Sequence, residues 1–572
     1  MSGCFAVFIF ILLCISVLLI ATKFALDAWD KRRPSNEWLE DPFYGLEKPV
    51  FYQGTLLDES AKGTGEALLL PISAYVDHID PDIFVEEDGV TVTTEDTVIH
   101  FRTEQLTALM NDRPMELKFP LQKIDEQLYL PVDPLIELYG LEIRESEETG
   151  AVLIWREGDV ITWGEILSPQ GSPVRIREEN HIKAKIVYEA DGGEAVMIYD
   201  EDDGWYRVQF PNGYFGYVNK NNVRLDHTEK IPEVVRKSAH VAWKPLGGKI
   251  NLTWEAVYNV PPKPENIGPM PGLNVISPTW FELGKNKDGQ FYVKNKADPA
   301  YVKWAHERGY QVWALFSNSF DPDLTTEMLS SYDTRMGVIR EIAHFAQMYH
   351  LQGINIDFEN VYLEDKDRFT QFVREMTPIL REQGLVVSID VTIRGGSPMW
   401  SLFYDREKLG QVVDYMIVMT YDEHWASSPV AGSVASLPWV EKGMTDIMEH
   451  DKVPASKLIL GVPFYTRIWT EETDAEGNVK VTSRAVSMRE VEETIERHGL
   501  TPVFLEDVGQ HYVEFEEDGK THKIWIEDET SMRLRAQLVN KYNFAGIASW
   551  RRGFEKPEIW NVIHETLSKN SP

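Results

Sequence analysis

Apolar residues fall into three patterns along the 572-residue chain. The first is one unbroken run. No residue from Ser2 to Thr22 is charged, and Phe5 to Ala21 is almost wholly Phe, Ile, Leu, Val and Ala. Such a run is about long enough to cross a bilayer. It predicts a membrane anchor over 1–30, with a cleaved signal peptide as the alternative. Lys23, Lys31, Arg32 and Arg33 follow the run and nothing basic precedes it. Basic flanks alone would place the C-terminal side in the cytoplasm; the modules downstream argue for export.

The second pattern is short and alternating. After a polar stretch rich in Pro, Gly and acids, read as a linker over 31–65, comes an α+β module over 66–165. Its "LYLPVDPLIELYGLEIRESEETGAVLIW" predicts strand, short helix, strand, turn, strand. Residues 172–226 contain short alternating strands broken by "EDDG" and "PNG" turns, which predicts a small all-β barrel. Trp205, Tyr206 and Tyr217 there are either groove or core residues.

The third pattern fills 240–568. Continuous apolar runs ("GYQVWALFSN", "LQGINIDFEN", "LVVSIDVTI", "VVDYMIVMTYD", "LILGVPFYT", "FAGIASW") alternate with amphipathic stretches such as "DTRMGVIREIAHFAQMYH". Apolar strands separated by helices mean a parallel sheet covered by helices. The length favours a closed (β/α)8 barrel. An open doubly wound sheet is the alternative, disfavoured because no glycine-rich phosphate loop follows a strand. A small α+β insertion is expected before the last strand, around "HYVEFEEDGKTHKIWIED". The fold class is thus α/β, with an α+β module and a small all-β barrel ahead of the main barrel.

Composition narrows the partners. A formal net charge of −34 repels phosphate backbones and excludes nucleic acid as a natural ligand. Seventeen Trp and 23 Tyr suit a glycan, because flat rings stack on sugar faces. The cysteines are Cys4 and Cys14, both in the first apolar run, so the folded part has no disulfide and no Cys-based zinc site. The 14 His show no H-x-x-x-H spacing, which disfavours a metal-dependent deacetylase. No metal and no cofactor is implied.

Candidate chemistry centres on "LQGINIDFEN", residues 351–360. In a strand, side chains alternate faces. Ile354, Ile356 and Phe358 then face the helices, while Asn355, Asp357 and Glu359 face the barrel interior. Glu359 comes last, at the end where such barrels carry their active sites. Two neighbouring buried acids are costly unless the site uses them. Asn355 is uncharged, and its amide is expected to donate to Asp357, keep that acid anionic over a wide pH range, and so hold Glu359 protonated.

Here the chain resembles glycoside hydrolase family 18, whose fourth barrel strand carries D-G-x-D-x-D-x-E. The register is Gln352, Gly353, Asn355, Asp357, Glu359: the last two acids are present and the first two are replaced. "GINIDFEN" also looks like the branch with bacterial spore cortex-lytic N-acetylglucosaminidases. "VMTYDEHW" matches the sixth strand (Met419, Tyr421, Asp422), "LGVPFYTRIW" the seventh (Tyr465, Arg467), and "GIASW" the eighth (Trp550). The resemblance implies a retaining, substrate-assisted glycosidase. Glu359 would be general acid and then base, Asp357 would stabilise the oxazolinium, Tyr421 would orient the acetamido oxygen, and Trp550 would floor the sugar site. Asp422, Asn355, Met419, Tyr465, Arg467, Trp280 and Trp425 are further substrate-binding candidates. Residues 66–165 resemble the copper amine oxidase N-terminal module, without a copper ligand set, and 172–226 resemble bacterial SH3-like domains of wall-acting enzymes. The expected substrate is an N-acetylglucosamine polysaccharide, peptidoglycan before chitin, met outside the cytoplasmic membrane. An inactive sugar-binding scaffold is the alternative of another class; retention of Glu359 argues against it.

Overall fold

The computed structural model describes residues 14–24, 26, 29, 32–168, 171–236, 247–258 and 260–569. The chain divides into two compact units. One comprises Met1–Val90, Phe101–Ala108 and Pro114–Lys237; the other comprises Thr91–His100, Leu109–Arg113 and Ser238–Pro572.

In the first unit, the predicted strand–helix–strand–turn–strand order appears as Gln127–Pro131, a helix Asp133–Tyr139, Leu141–Glu145 and Val152–Arg156. Leu135 and Tyr139 form the buried helix face, and Gly140 ends the helix in the left-handed conformation that needs no Cβ. Two sequence-derived boundaries move. The expected linker contributes a strand, Val50–Tyr52, which pairs in parallel with Val152–Ile154 and buries Phe51 completely. Strand Val160–Ile166, most of which falls inside the expected bounds of the α+β module, pairs with Ala195–Asp202 and Val223–Lys230. It completes the seven-stranded sheet of the small β-barrel, whose core includes Ile166, Val174, Ile176, Val196, Val208 and Val218. Trp205, Tyr206 and Tyr217 are half-buried, and Tyr206 packs on that core.

Among the described residues, no helix is long and apolar enough to cross a membrane. Most of the expected anchor, including all of residues 1–13, lies outside the described residues.

The second unit is built on eight parallel strands: β1 Ile250–Glu255, β2 Val275–Pro278, β3 Gln311–Ser317, β4 Gly353–Asp357, β5 Val386–Thr392, β6 Tyr415–Met419, β7 Leu458–Pro463 and β8 Gly546–Trp550. Each pairs with the next, and β8 pairs with β1, so the sheet closes on itself. Closure removes every exposed edge. The expected insertion follows β7: a five-stranded antiparallel sheet with the helix Met488–His498, whose start is capped by Ser487 and Glu490. Segments 91–100 and 109–113 belong to this unit, where His100 stacks on Tyr332 with ring centres 3.8 Å apart.

Strand alternation gives the barrel two separate cores. Outward residues, among them Ile354, Ile356 and Phe358, pack against the helices. Inward residues Ile250, Leu252, Trp313, Leu315, Val386, Ile417, Ile459 and Ala548 fill the lumen. Towards the strands' C-terminal ends the inward residues turn polar: Asn355, Ser388 and Asp390 are all buried. An apolar plug therefore closes the barrel below a polar layer.

Gly546 on β8 lies too close to the β1 backbone to carry a side chain. A Cβ there would sit 2.1 Å from the Ile250 carbonyl oxygen on β1. Gly546→Ala is expected to lower the urea midpoint with unchanged m-value, corresponding to about 1–3 kcal/mol of overpacking.

Candidate active site

Asp357 is the last residue of β4, and Glu359 lies two residues further, past the end of the strand ladder. Its backbone is held by other means. The buried Asn318 side chain donates to the Glu359 carbonyl at 2.8 Å and accepts from the Glu359 N–H at 3.1 Å. The Tyr404 hydroxyl donates to the Phe358 carbonyl at 2.7 Å. These contacts fix the direction in which Glu359 leaves the strand.

Asn355 sits one pleat deeper than Asp357, and its hydrogen bonds differ from the expectation. Its Oδ1 accepts from the Trp254 indole at 2.9 Å and from Ser277 Oγ at 3.1 Å. Its Nδ2 donates to Asp390 Oδ1 at 2.8 Å. An indole N–H can only donate, so the amide orientation is fixed and its N–H faces Asp390. The reason is geometric. Ser388 on neighbouring β5 is the register partner of Asn355, and Asp390, two residues further along β5 on the same lumen-facing side, reaches the amide diagonally across the strand pair.

Asp357 is consequently not held anionic. Its Oδ1 is buried and has no hydrogen-bond partner among the described residues. Burial pushes its pKa up to about 7. Glu359 is raised well above the usual carboxylate range by burial, then by the charges of Asp357 and Asp422. Asp390 is raised in the same way by burial and by Asp357, against the lowering effect of the Asn355 hydrogen bond. The forces acting on Asp357 and Glu359 include no basic side chain.

The other sequence candidates divide. Tyr421, just past β6, has its phenol raised by burial and then by the nearby Asp390, Tyr465, Glu359 and Asp357. Its ring meets Tyr465 edge-on at 6.3 Å. The Tyr465 hydroxyl donates to Asp422 Oδ1 at 2.6 Å, and Arg467 approaches the same carboxylate at 3.5 Å. Trp550 packs on the inner core with its ring 5.9 Å from Trp254. Met419 is buried at the end of β6, and Trp425 is exposed in the loop after it. Trp280 is a correction. It is 1% exposed, wedged against Tyr301 in the helix-facing core, and offers no surface to a sugar.

Sequence reading missed Asp390, Asn318, Tyr404 and Trp254. A signal existed for Asp390: in "LVVSIDVTI" it is the one acid in an apolar strand. Asn318 carried a weaker one, as a polar residue directly after the β3 apolar run. Tyr404 and Trp254 carried none.

Against known proteins, residues 288–555 match the family model of glycosyl hydrolases family 18. The barrel is a family 18 glycosidase domain. Residues 172–224 match the bacterial SH3 domain, and neither match reaches 66–165. The glycosidase is 27% identical over 306 residues to the uncharacterized glycosylase YvbX of Bacillus subtilis (strain 168), covering 51% of this chain and 84% of that protein. It is 23% identical over 260 residues to the cortical fragment-lytic enzyme of the same organism, covering 44% of this chain and 58% of that one. A solved chitinase from Chromobacterium violaceum ATCC 12472 superposes with a TM-score of 0.48 at 21% identity, over 56% of this chain and all of that one.

The raised pKa of Asp357 has a stability consequence. The folded state holds a proton that the unfolded chain would release near its ordinary value of 3.8, so stability falls as pH rises from there through about 7. Asp357→Asn keeps the shape and removes that cost. Its melting temperature is expected to exceed the parent's by several degrees at pH 8 and to converge with it at pH 4, read by thermal unfolding at both.

Proposed function

We propose that the protein is an exported glycosidase that cleaves peptidoglycan after N-acetylglucosamine, by a retaining mechanism in which the substrate's own acetamido group is the nucleophile. One observation carries this reading: the buried, unpartnered Oδ1 of Asp357 beside Glu359. A buried acceptor without a donor is costly. A sugar bearing an N–H on its 2-substituent supplies that donor, whereas a plain 2-hydroxyl sugar has no acetamido oxygen for the attack that follows.

The steps balance as follows. Glu359 gives its proton to the glycosidic oxygen as the bond to the anomeric carbon breaks. The acetamido oxygen bonds to that carbon, forming an oxazolinium whose positive charge Asp357 offsets. Tyr421 holds the acetamido oxygen in line, and Trp550 supports the sugar from below. Water then attacks the anomeric carbon from the vacated side, Glu359 takes its proton, and the oxazolinium opens with retained configuration.

Two features support peptidoglycan over chitin. One is the bacterial SH3 domain preceding the barrel. The other is similarity to an enzyme named for lysis of cortical fragments. The uncharged run before Lys23 supports export.

Purified protein from residue 34 onward is expected to release peptidoglycan fragments with N-acetylglucosamine at the reducing end, seen by mass analysis after borohydride reduction. Muramic acid at the new ends would overturn the reading, and cleavage of chitin oligomers alone would assign the chitinase alternative. Glu359→Gln is expected to lose roughly 10²–10⁴-fold in rate with its fold intact. Protease added to intact protoplasts is expected to digest the barrel; protection until lysis would reject export.

A further inference from the structure

We propose that Asp390 is a positioning acid that sets the proton occupancy of the Asp357–Glu359 pair, supplying from β5 the carboxylate that β4 lacks at Asn355. The proposal rests on the glycosidase reading above, since it concerns the working protonation of the same acids.

The geometry is specific. Asp390 is 1% exposed, faces the lumen from the strand beside β4, and is bonded through Asn355 to Trp254 and Ser277. The barrel-facing positions of β4 and β5 thus hold Asn355, Asp357, Ser388 and Asp390 in one polar layer, with Glu359 at its rim. Titratable groups around Asp390 come from every side. Asp357 and Glu359 act from β4, Tyr421 from beyond β6, and Tyr404 from the segment after β5, where Arg406 lies over the Tyr404 ring. Trp254, from β1, is a neutral donor.

Carboxylates crowded in a poorly solvated pocket cannot all ionise, so their protons belong to the group rather than to single residues. Asp390 lies beside Asp357 in the β4–β5 register and is itself pushed up by the charges of Asp357 and Glu359; that repulsion is mutual, so a charge on Asp390 raises the cost of ionising the other two. Its service to catalysis is on Glu359. With a potential negative charge at Asp390, Glu359 keeps its proton towards neutral pH and remains a general acid there. Without it, Glu359 ionises earlier and the enzyme works only in more acidic solution.

The test is the pH dependence of kcat/KM on a soluble N-acetylglucosamine oligomer. Asp390→Asn preserves shape, so the alkaline limb, where Glu359 loses its proton, is expected to move down by about one unit or more, with activity retained at acidic pH. The exchange Asn355→Asp with Asp390→Asn keeps the amide–carboxylate hydrogen bond with its partners reversed and returns an acid to the layer. It is expected to restore the limb. A residue needed only for packing would scale the profile without moving it. Superimposable limbs for the parent, Asp390→Asn and the exchange would overturn the proposal. If Asp390→Asn does not fold, as judged by circular dichroism, the exchange alone decides: a limb at the parent position supports the proposal and one shifted as far as a lone Asn355→Asp variant does not. A fully active Glu359→Gln would instead reject the glycosidase reading itself, so the two failures are separable.

Discussion

The chemistry at the mouth of the barrel depends on the cost of taking carboxylates out of water without a cation beside them. Elsewhere in the same unit that cost is met by pairing. Arg335 and Glu375 are both fully buried and joined by two hydrogen bonds. Glu527 is buried against Arg535, and Glu255 against Arg552. Such pairs offset desolvation with Coulomb attraction and forked hydrogen bonds. Asp357 and Glu359 are treated differently. Burial acts on both, neighbouring acids act on Glu359 as well, and no base acts on either, so protonation is the remaining way to lower the energy. A fold that pairs buried charges in this way elsewhere and leaves these acids without a cation is keeping protons available for transfer.

The barrel makes this possible through alternation. Each strand sends one face to the helices and the other to the lumen, so polar inward residues can be changed without disturbing the helix-facing core around Ile354, Ile356 and Phe358. The lumen itself is layered. Trp313, Leu315, Val386 and Ile417 block it from below. The acids lie on the C-terminal side of that plug. That arrangement raises their pKa values while leaving Glu359 accessible to a substrate. The plug is therefore part of the electrostatics as well as of the packing.

Much of this was legible in one decapeptide. In "LQGINIDFEN" the period-two alternation assigns Asn355, Asp357 and Glu359 to the lumen, and the order assigns Glu359 to the open end. The partners were not legible, because a closed barrel joins residues that no local pattern connects. Asp390 is 35 positions from Asn355 and Trp254 is 101, and both are neighbours only because β5 and β1 face the same lumen. A reading confined to β4 therefore gave Asn355's amide to Asp357, whereas its acceptor lies on the adjacent strand. Trp280 failed for a related reason: an aromatic just beyond a strand end can turn outward, and this one does. The strand at Val50–Tyr52 was hidden by its polar surroundings, since three residues are too few to establish a period.

The position of Glu359 carries the last constraint. A general acid needs a fixed direction, yet the ladder that would fix it ends at Asp357. A residue on the strand would be rigid but would point into the lumen, too deep for a glycosidic oxygen. A residue in a free loop would reach the substrate but lack orientation. The clasp from Asn318, with one amide both donating to and accepting from the Glu359 backbone, resolves the conflict. It substitutes for a missing strand neighbour with the same two hydrogen bonds that a neighbour would make. Asn318 is itself buried and bonded to Thr325, so the clasp is anchored in the β3 end rather than in solvent. Glu359 thus gains the rigidity of the sheet at a point just beyond it, where a substrate can reach the acid and the buried layer beneath can still set its proton.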